Sequence, residues 1–171
     1  MMKAMKVGSV LALAALVACS RSAEKEPQPE PAPTSSGAPL VLAPPGVRFV
    51  KAGAGANAAT LIRAERERAK AEGRDLLVYV GAKWCEPCQR FHHAAAAGKL
   101  DSDFPNLTVM EWDLDEDRDR IVAAGYASAY IPLFVVPDAD GHPTDRRVEG
   151  GVKGEGAVAD ITKKLRPLFA K

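Results

Sequence analysis

The feature that most constrains the fold is a pair of cysteines separated by two residues, in the run Trp84-Cys85-Glu86-Pro87-Cys88. Two thiols at this spacing can close a small disulfide ring or bind a metal. Residues 75–82, before the pair, form an apolar and partly β-branched run that predicts a buried strand. Residues 89–100, after it, are rich in alanine and lack proline, which predicts a helix. We therefore expect the pair where a strand turns into a helix, with Cys85 near the helix N-terminus.

The first residues have the pattern of a secretory signal peptide. Lysines precede an apolar stretch, 7–18, that is too short to cross a bilayer as a helix, which takes about 20 apolar residues. We predict a signal peptide over residues 1–18. Its end, Leu16-Val17-Ala18-Cys19, resembles the lipobox of bacterial lipoproteins, which implies cleavage before Cys19 and lipidation of that residue. The alternative is an ordinary secretory signal in which a cysteine stands at the junction by coincidence.

Residues 19–46 have the composition of a tether. They contain no aromatic residue, so they cannot bury a core, and their prolines favour extended polyproline II. These prolines are Pro27, Pro29, Pro31, Pro33, Pro39, Pro44 and Pro45. Residues 47–171 have the size of one ordinary domain. The resemblance to lipoproteins therefore implies a domain on the periplasmic side of a bacterial membrane, and Ser20 after Cys19 favours the outer membrane.

Charge and cysteine content narrow the function further. The chain has 23 basic and 22 acidic residues and a net charge of +1, so we expect no nucleic-acid partner. With Cys19 assigned to lipidation, the other two cysteines make either one structural bridge or one active dithiol. A bridge across two residues closes a very small loop and adds little stability, which favours a reversible redox couple. We expect a monomer without a cofactor.

The remaining pattern predicts an α/β domain with a mixed β-sheet flanked by helices. Asn57 is a suitable N-cap for a helix that ends before Gly73, with Ile62 inward and Glu65 among the solvated positions. An Asp140-Gly141 turn predicts a late hairpin. The other predicted elements are strands at 107–114, 133–136 and 146–149 and helices that end near 124 and span 156–169.

Four of these features together resemble the thioredoxin family: Trp-Cys-x-Pro-Cys at a strand-to-helix turn, Ile131-Pro132 before a strand, a hairpin that ends in Gly-Gly, and a terminal helix. The resemblance implies a thioredoxin-like fold. It also implies that Cys85 attacks a substrate disulfide and that Cys88 resolves the mixed disulfide. Pro132 matches the family's cis-proline beside the dithiol, which leaves the backbone of Ile131 free to pair with an extended substrate.

Residues around the dithiol set its reactivity. The resemblance to thioredoxin implies that Trp84, Glu86 and Pro87 support the active site. The helix N-terminus and Lys83 favour a thiolate at Cys85, whereas the negative charge of Glu86 opposes it, which predicts a moderate pKa for the Cys85 thiol.

The sequence departs from thioredoxin at two positions that tune the dithiol. Tyr79 stands where the family has a buried aspartate, and Glu111 stands where the facing strand has a lysine. One hypothesis makes Glu111 the buried base and Tyr79 a proton relay or packing residue. The alternative, which we favour, has an exposed Glu111 and a core Tyr79.

These observations predict a lipoprotein-type, extracytoplasmic thiol:disulfide oxidoreductase. The apolar Ile131 before the proline resembles the reducing members, so we expect disulfides of envelope proteins as substrates and a membrane electron donor. The alternative function is a copper or zinc chaperone that uses Cys85, Cys88 and a histidine, His92 or His93. Covalent haem attachment is disfavoured because Gln89 follows Cys88.

Overall fold

A computed structural model describes residues 44–55 and 57–170. The predicted signal peptide, Cys19 and most of the proline-rich tether lie outside the described residues. In chain order, the elements are β1 (Gly46–Lys51), α1 (Ala58–Ala71), β2 (Asp75–Gly81), α2 (Glu86–Ala96), β3 (Asn106–Asp113), α3 (Leu114–Ala123), β4 (Leu133–Pro137), β5 (Pro143–Glu149) and α4 (Ala157–Phe169). Among the helices of these ranges, none has both the length and the hydropathy that a membrane span requires.

The five strands form one mixed sheet in the order β1-β3-β2-β4-β5. β3 pairs parallel with both β1 and β2, whereas β4 pairs antiparallel with β2 and with β5. The predicted mixed sheet, flanking helices and late hairpin are confirmed, and the fold is thioredoxin-like. β1 is an addition to the predicted elements. It is a short, half-buried edge strand directly after two prolines, so neither alternation nor length distinguishes it from the tether.

Helices cover both faces of the sheet, and this explains the apolar run of β2. Leu77 and Tyr79 point into the core shared with α2 and α4, whereas Val78 and Val80 point into the core shared with α1 and α3. Successive side chains of a strand alternate between faces, so a strand with both faces covered is apolar throughout. The buried position of β2 fixes the start of the loop that carries the cysteines.

Arg74 fastens the start of β1 to the rest of the sheet. Its guanidinium donates to the carbonyls of Gly46 and Leu107, both at 2.6 Å, to the carbonyl of Pro44 at 3.0 Å and to the Thr108 hydroxyl at 3.0 Å. The residue is only 5% exposed, and its burial, followed by the charge of Arg48, lowers the pKa of Arg74. These hydrogen bonds offset the desolvation of a buried cation.

The prediction that Glu65 is solvated is wrong. It is 4% exposed, and one carboxylate oxygen pairs with Arg68. Ile62, Glu65 and Ala69 are spaced three and four residues apart, so all three lie on the buried face of α1. The predicted cap is confirmed, because the Asn57 side chain accepts the N–H of Thr60 at 3.3 Å.

Candidate active site

The cysteine pair lies at the beginning of α2. Cys85 is the N-cap, and its sulfur accepts the N–H of Cys88 at 3.3 Å. The helix starts three residues before the predicted Gln89, because Pro87 fits in the first turn, where a backbone N–H has no intrahelical acceptor. The unpaired N–H groups and the positive end of the helix dipole therefore face Cys85.

Cys85 and Cys88 form a disulfide with a Cα–Cα distance of 5.2 Å. Both residues belong to the core between the sheet, α2 and α4, and are 5% and 2% exposed. The neighbouring Trp84 is 65% exposed, and its indole N–H donates to Asp115 at 2.9 Å. The disulfide is therefore at the margin of the core, directly beside an exposed aromatic side chain.

The charges next to Cys85 are engaged by other partners. The Glu86 carboxylate pairs with Arg90 and accepts the N–H of Gly154, which is 3.2 Å from each carboxylate oxygen. The bond from Arg90, then that from Gly154, lowers the pKa of Glu86. Lys83 donates to Glu116 on α3 at 3.0 Å. Both contacts partly neutralise the two charges whose opposing effects on Cys85 the sequence predicts.

The Ile131-Pro132 peptide bond is cis. Pro132 is buried, and its carbonyl accepts the N–H of Gly150 at 2.9 Å. Ile131 is half-buried and packs against the same core as Cys85. The loop between β5 and α4 also reaches the cysteine helix, because a Cβ at Gly151 would lie 3.4 Å from the Cβ of Pro87.

Tyr79 is a core residue. It is 3% exposed, and its ring stacks on Phe134 with centroids 5.2 Å apart. Burial, then the charges of Glu111 and Asp113, raises the pKa of Tyr79 well above its usual value. At neutral pH Tyr79 is thus a protonated phenol, which can donate a hydrogen bond but cannot take up a proton.

Glu111 is partly buried, whereas one hypothesis from the sequence makes it a buried base and the other makes it exposed. Its side chain is 25% exposed, and Oε1 is 3.7 Å from Nε2 of His92. In the sheet, Glu111 is the register partner of Tyr79 on one side and of Lys51 on the other. An open cavity of about 410 Å³ lies behind the disulfide, and its lining includes Cys88, Tyr79, His92 and Glu111.

The metal alternative gains no support from this geometry. Within residues 44–55 and 57–170, no group of three or more histidine, cysteine, aspartate or glutamate side chains is arranged to hold a metal ion. His92 faces Glu111 and packs on Phe49, with ring centroids 4.3 Å apart.

Three contacts of the site are absent from the sequence-based expectations. The pairing of Glu86 with Arg90 has a local signal, because opposite charges four residues apart meet on a helix. The bond from Gly154 to Glu86 joins residues 68 positions apart and has no such signal. The approach of His92 to Glu111 depends on how α2 packs over the sheet.

One family model matches part of the chain. Residues 58–139, which include both cysteines and Pro132, match a family model described as thioredoxin-like. No curated protein matches the chain significantly.

Several solved structures are similar to the chain. Oxidised thioredoxin O1 from Arabidopsis thaliana is 18% identical, with 73% of this chain and 99% of that chain covered and a TM-score of 0.46. Trichomonas vaginalis thioredoxin is 21% identical, with 72% and 97% covered and a TM-score of 0.44. A poplar thioredoxin h is 19% identical, with 74% and 98% covered and a TM-score of 0.44.

Proposed function

Starting from a thioredoxin-like fold and a thioredoxin-like family match over residues 58–139, we propose that this chain reduces disulfides in envelope proteins as a membrane-tethered monomer. Fold, family match and the close cysteine pair support thiol:disulfide oxidoreductase activity in general. The direction of electron transfer, the envelope substrates and the membrane tether go beyond that general activity and are our proposal.

The observation that carries the proposal is the Cys85–Cys88 disulfide at the N-terminus of α2. When the pair is reduced, the N–H of Cys88 and the helix dipole favour a negative charge on the Cys85 sulfur. A thiolate is the attacking species in disulfide exchange. Cys85 is therefore the attacking residue and Cys88 the resolving residue.

Each turnover moves two electrons from the dithiol to the substrate. The Cys85 thiolate attacks one sulfur of the substrate disulfide, the substrate S–S bond breaks, and the other substrate sulfur leaves as a thiolate. Cys88 then loses its proton and attacks the Cys85 sulfur, and the bond between Cys85 and the substrate breaks. The substrate leaves as a dithiol and the Cys85–Cys88 disulfide remains. A membrane dithiol donor must return two electrons before the next turnover.

An apolar rim around the disulfide suits an unfolded or extended substrate segment. Trp84, Tyr130 and Val152 are 65%, 70% and 49% exposed. Tyr130 immediately precedes Ile131-Pro132, and its Cβ is 3.5 Å from the position of a Cβ at Gly150. Exposed apolar groups next to a reactive disulfide favour substrates whose own disulfides lie in apolar, incompletely folded segments.

The proposed anchor is a lipid on Cys19 in the outer membrane. If residues 20–45 are extended as polyproline II, they reach roughly 80 Å from the lipid, at about 3.1 Å per residue. This reach lets the domain meet envelope proteins away from the membrane surface. Cys19→Ala in cells should release the chain from the membrane fraction, whereas a chain that stays membrane-bound without Cys19 would contradict lipid anchoring.

Activity is tested with the full chain carrying Cys19→Ser. It should accelerate reduction of insulin disulfides by dithiothreitol, and adding Cys85→Ser should abolish that acceleration. Equal activity with and without Cys85 would contradict the proposal. Equilibration of the pair with glutathione buffers gives its potential. We expect a value below about −200 mV, in the range of reductants, and a value above about −150 mV would reverse the proposed direction.

A further inference from the structure

The resolving step requires that a buried thiol lose its proton. Cys88 is 2% exposed, so its thiol is shielded from bulk water on the core side of α2. His92 follows four residues later, and residues at this spacing lie on the same face of a helix. Both residues line the cavity of about 410 Å³ behind the disulfide, which has room for water between them.

Four of the other ionisable groups around this cavity are already protonated or paired. Tyr79 on β2 is already protonated at neutral pH. Lys83 and Glu116 bind each other at 3.0 Å, and Asp117 accepts from Arg120 at 2.7 Å. The remaining lining groups are His93, next to His92 on α2, and three residues of neighbouring strands: Lys51 on β1, and Glu111 and Asp113 on β3.

His92 is held in a position that suits a proton acceptor. Its ring packs on Phe49 at a centroid distance of 4.3 Å and an interplanar angle of 31°. Nε2 lies 3.7 Å from Oε1 of Glu111, which is too long for a hydrogen bond but close enough for an ion pair. The Glu111 carboxylate is therefore close enough to hold the imidazole of His92 in place. An imidazole also exchanges protons in the physiological pH range, unlike an ordinary carboxylate.

We propose that His92 accepts the proton of the Cys88 thiol through water in the cavity during resolution, and that Glu111 is a positioning residue for His92. This inference rests on the proposed function. The S–H proton passes to the imidazole, and the electron pair left on Cys88 forms the bond to the Cys85 sulfur. The bond between Cys85 and the substrate breaks at the same time, and its electrons leave with the substrate thiolate. His92 then releases the proton through the open side of the cavity.

The two steps can be followed separately with 5,5′-dithiobis(2-nitrobenzoate), whose coloured thiolate is released once by attack and once by resolution. The full chain carrying Cys19→Ser is reduced, freed of reductant and mixed with the reagent in a stopped-flow instrument. His92→Gln should slow the second release on the order of 100-fold at pH 7, the size typical of general base catalysis, and leave the first unchanged. Glu111→Gln should slow the second release by a smaller factor.

Two further readouts separate proton transfer from a structural effect. The second release of His92→Gln should rise steeply with pH towards the range of an ordinary thiol, whereas that of the unmodified pair should depend less steeply on pH. Added imidazole should restore the second release in His92→Ala. His142→Gln, in the turn between β4 and β5 and outside the lining of the cavity, is the control and should change neither phase.

Each contrary result has a distinct meaning. A second release in His92→Gln that equals the control at every pH, or an equal slowing of both phases, would overturn the role of His92. A different result would contradict the proposed function itself: a first release that is the same in the unmodified pair and in Cys85→Ser. Cys88→Ser should give the first release alone and identifies the second phase.

Discussion

Gly81, the last residue of β2, permits Tyr79 to occupy the site that faces the disulfide helix. A Cβ at position 81 would overlap the Tyr79 hydroxyl oxygen and lie 2.7 Å from the Tyr79 Cζ. The ring has little room to move, because Phe134 and Phe91 hold it at centroid distances of 5.2 and 5.9 Å. We therefore expect Gly81→Ala to displace the ring or the strand end.

The size of the effect follows from the overlap. An ordinary carbon contact is about 3.5–4.0 Å, so roughly 1 Å of movement is needed in a packed core, and overpacking of this kind costs about 1–3 kcal/mol. Alanine also restricts the unfolded chain and returns about 0.4–1 kcal/mol. The net loss expected for Gly81→Ala is about 1–2 kcal/mol of unfolding free energy.

A double-mutant cycle with Tyr79→Val tests this reasoning. Tyr79→Val alone removes a buried ring and should cost about 2–4 kcal/mol. Once the ring is absent, alanine at position 81 has space, so the double variant should be no less stable than Tyr79→Val. Urea unfolding of the oxidised full chain, followed by far-UV circular dichroism, gives the four free energies. Additivity of the two losses within about 0.5 kcal/mol would refute the steric explanation.

Two further predictions concern contacts at opposite ends of the sheet. Arg74→Met removes four hydrogen bonds and should lower the free energy of unfolding, measured by urea titration, by about 2–4 kcal/mol. The control Arg166→Met, at an exposed ion pair, should lower it by less than about 1 kcal/mol. Equal losses in the two variants would contradict the role of Arg74 in holding β1. Because Arg90 and Gly154 lower the pKa of Glu86, its stabilisation is present above the unfolded value of about 4.3 and is lost as the pH falls through the lower folded value. Between about pH 5 and pH 3, the urea midpoint should therefore decline less steeply in Glu86→Gln than in the unmodified chain. Glu67→Gln, on the exposed face of α1, should leave the decline unchanged. An unchanged decline in Glu86→Gln would contradict a lowered pKa of Glu86 in the folded chain.

Local sequence patterns predict much of the fold because its main elements have strong signals. The apolar run of β2 and the Asn57 cap are each set by nearby residues. The cysteine pair and Ile131-Pro132 could be singled out for the same reason. β1 could not, since its six residues directly follow two prolines and are held in place by pairing with β3 and by Arg74. The start of α2 was predicted three residues too late.

Side-chain environments were harder to predict because they depend on contacts between distant segments. Glu65 reads as a charged surface residue until the helix face is fixed by packing. Lys83 stands two residues before Cys85 in sequence, yet its charge is bound by Glu116 on α3. The partial burial of Glu111 likewise depends on its place between β1 and β2 and on His92 above it.

The central claim is that Cys85 attacks substrate disulfides and Cys88 releases the product. The most direct measurement is capture of the mixed disulfide with a disulfide-bonded peptide, using full chains that carry Cys19→Ser and one further substitution. With Cys88→Ser, intact-mass and peptide analysis should find the peptide joined to Cys85. With Cys85→Ser, the buried Cys88 should form little or no adduct. Preferential capture on Cys88, or no capture on Cys85, would contradict the account.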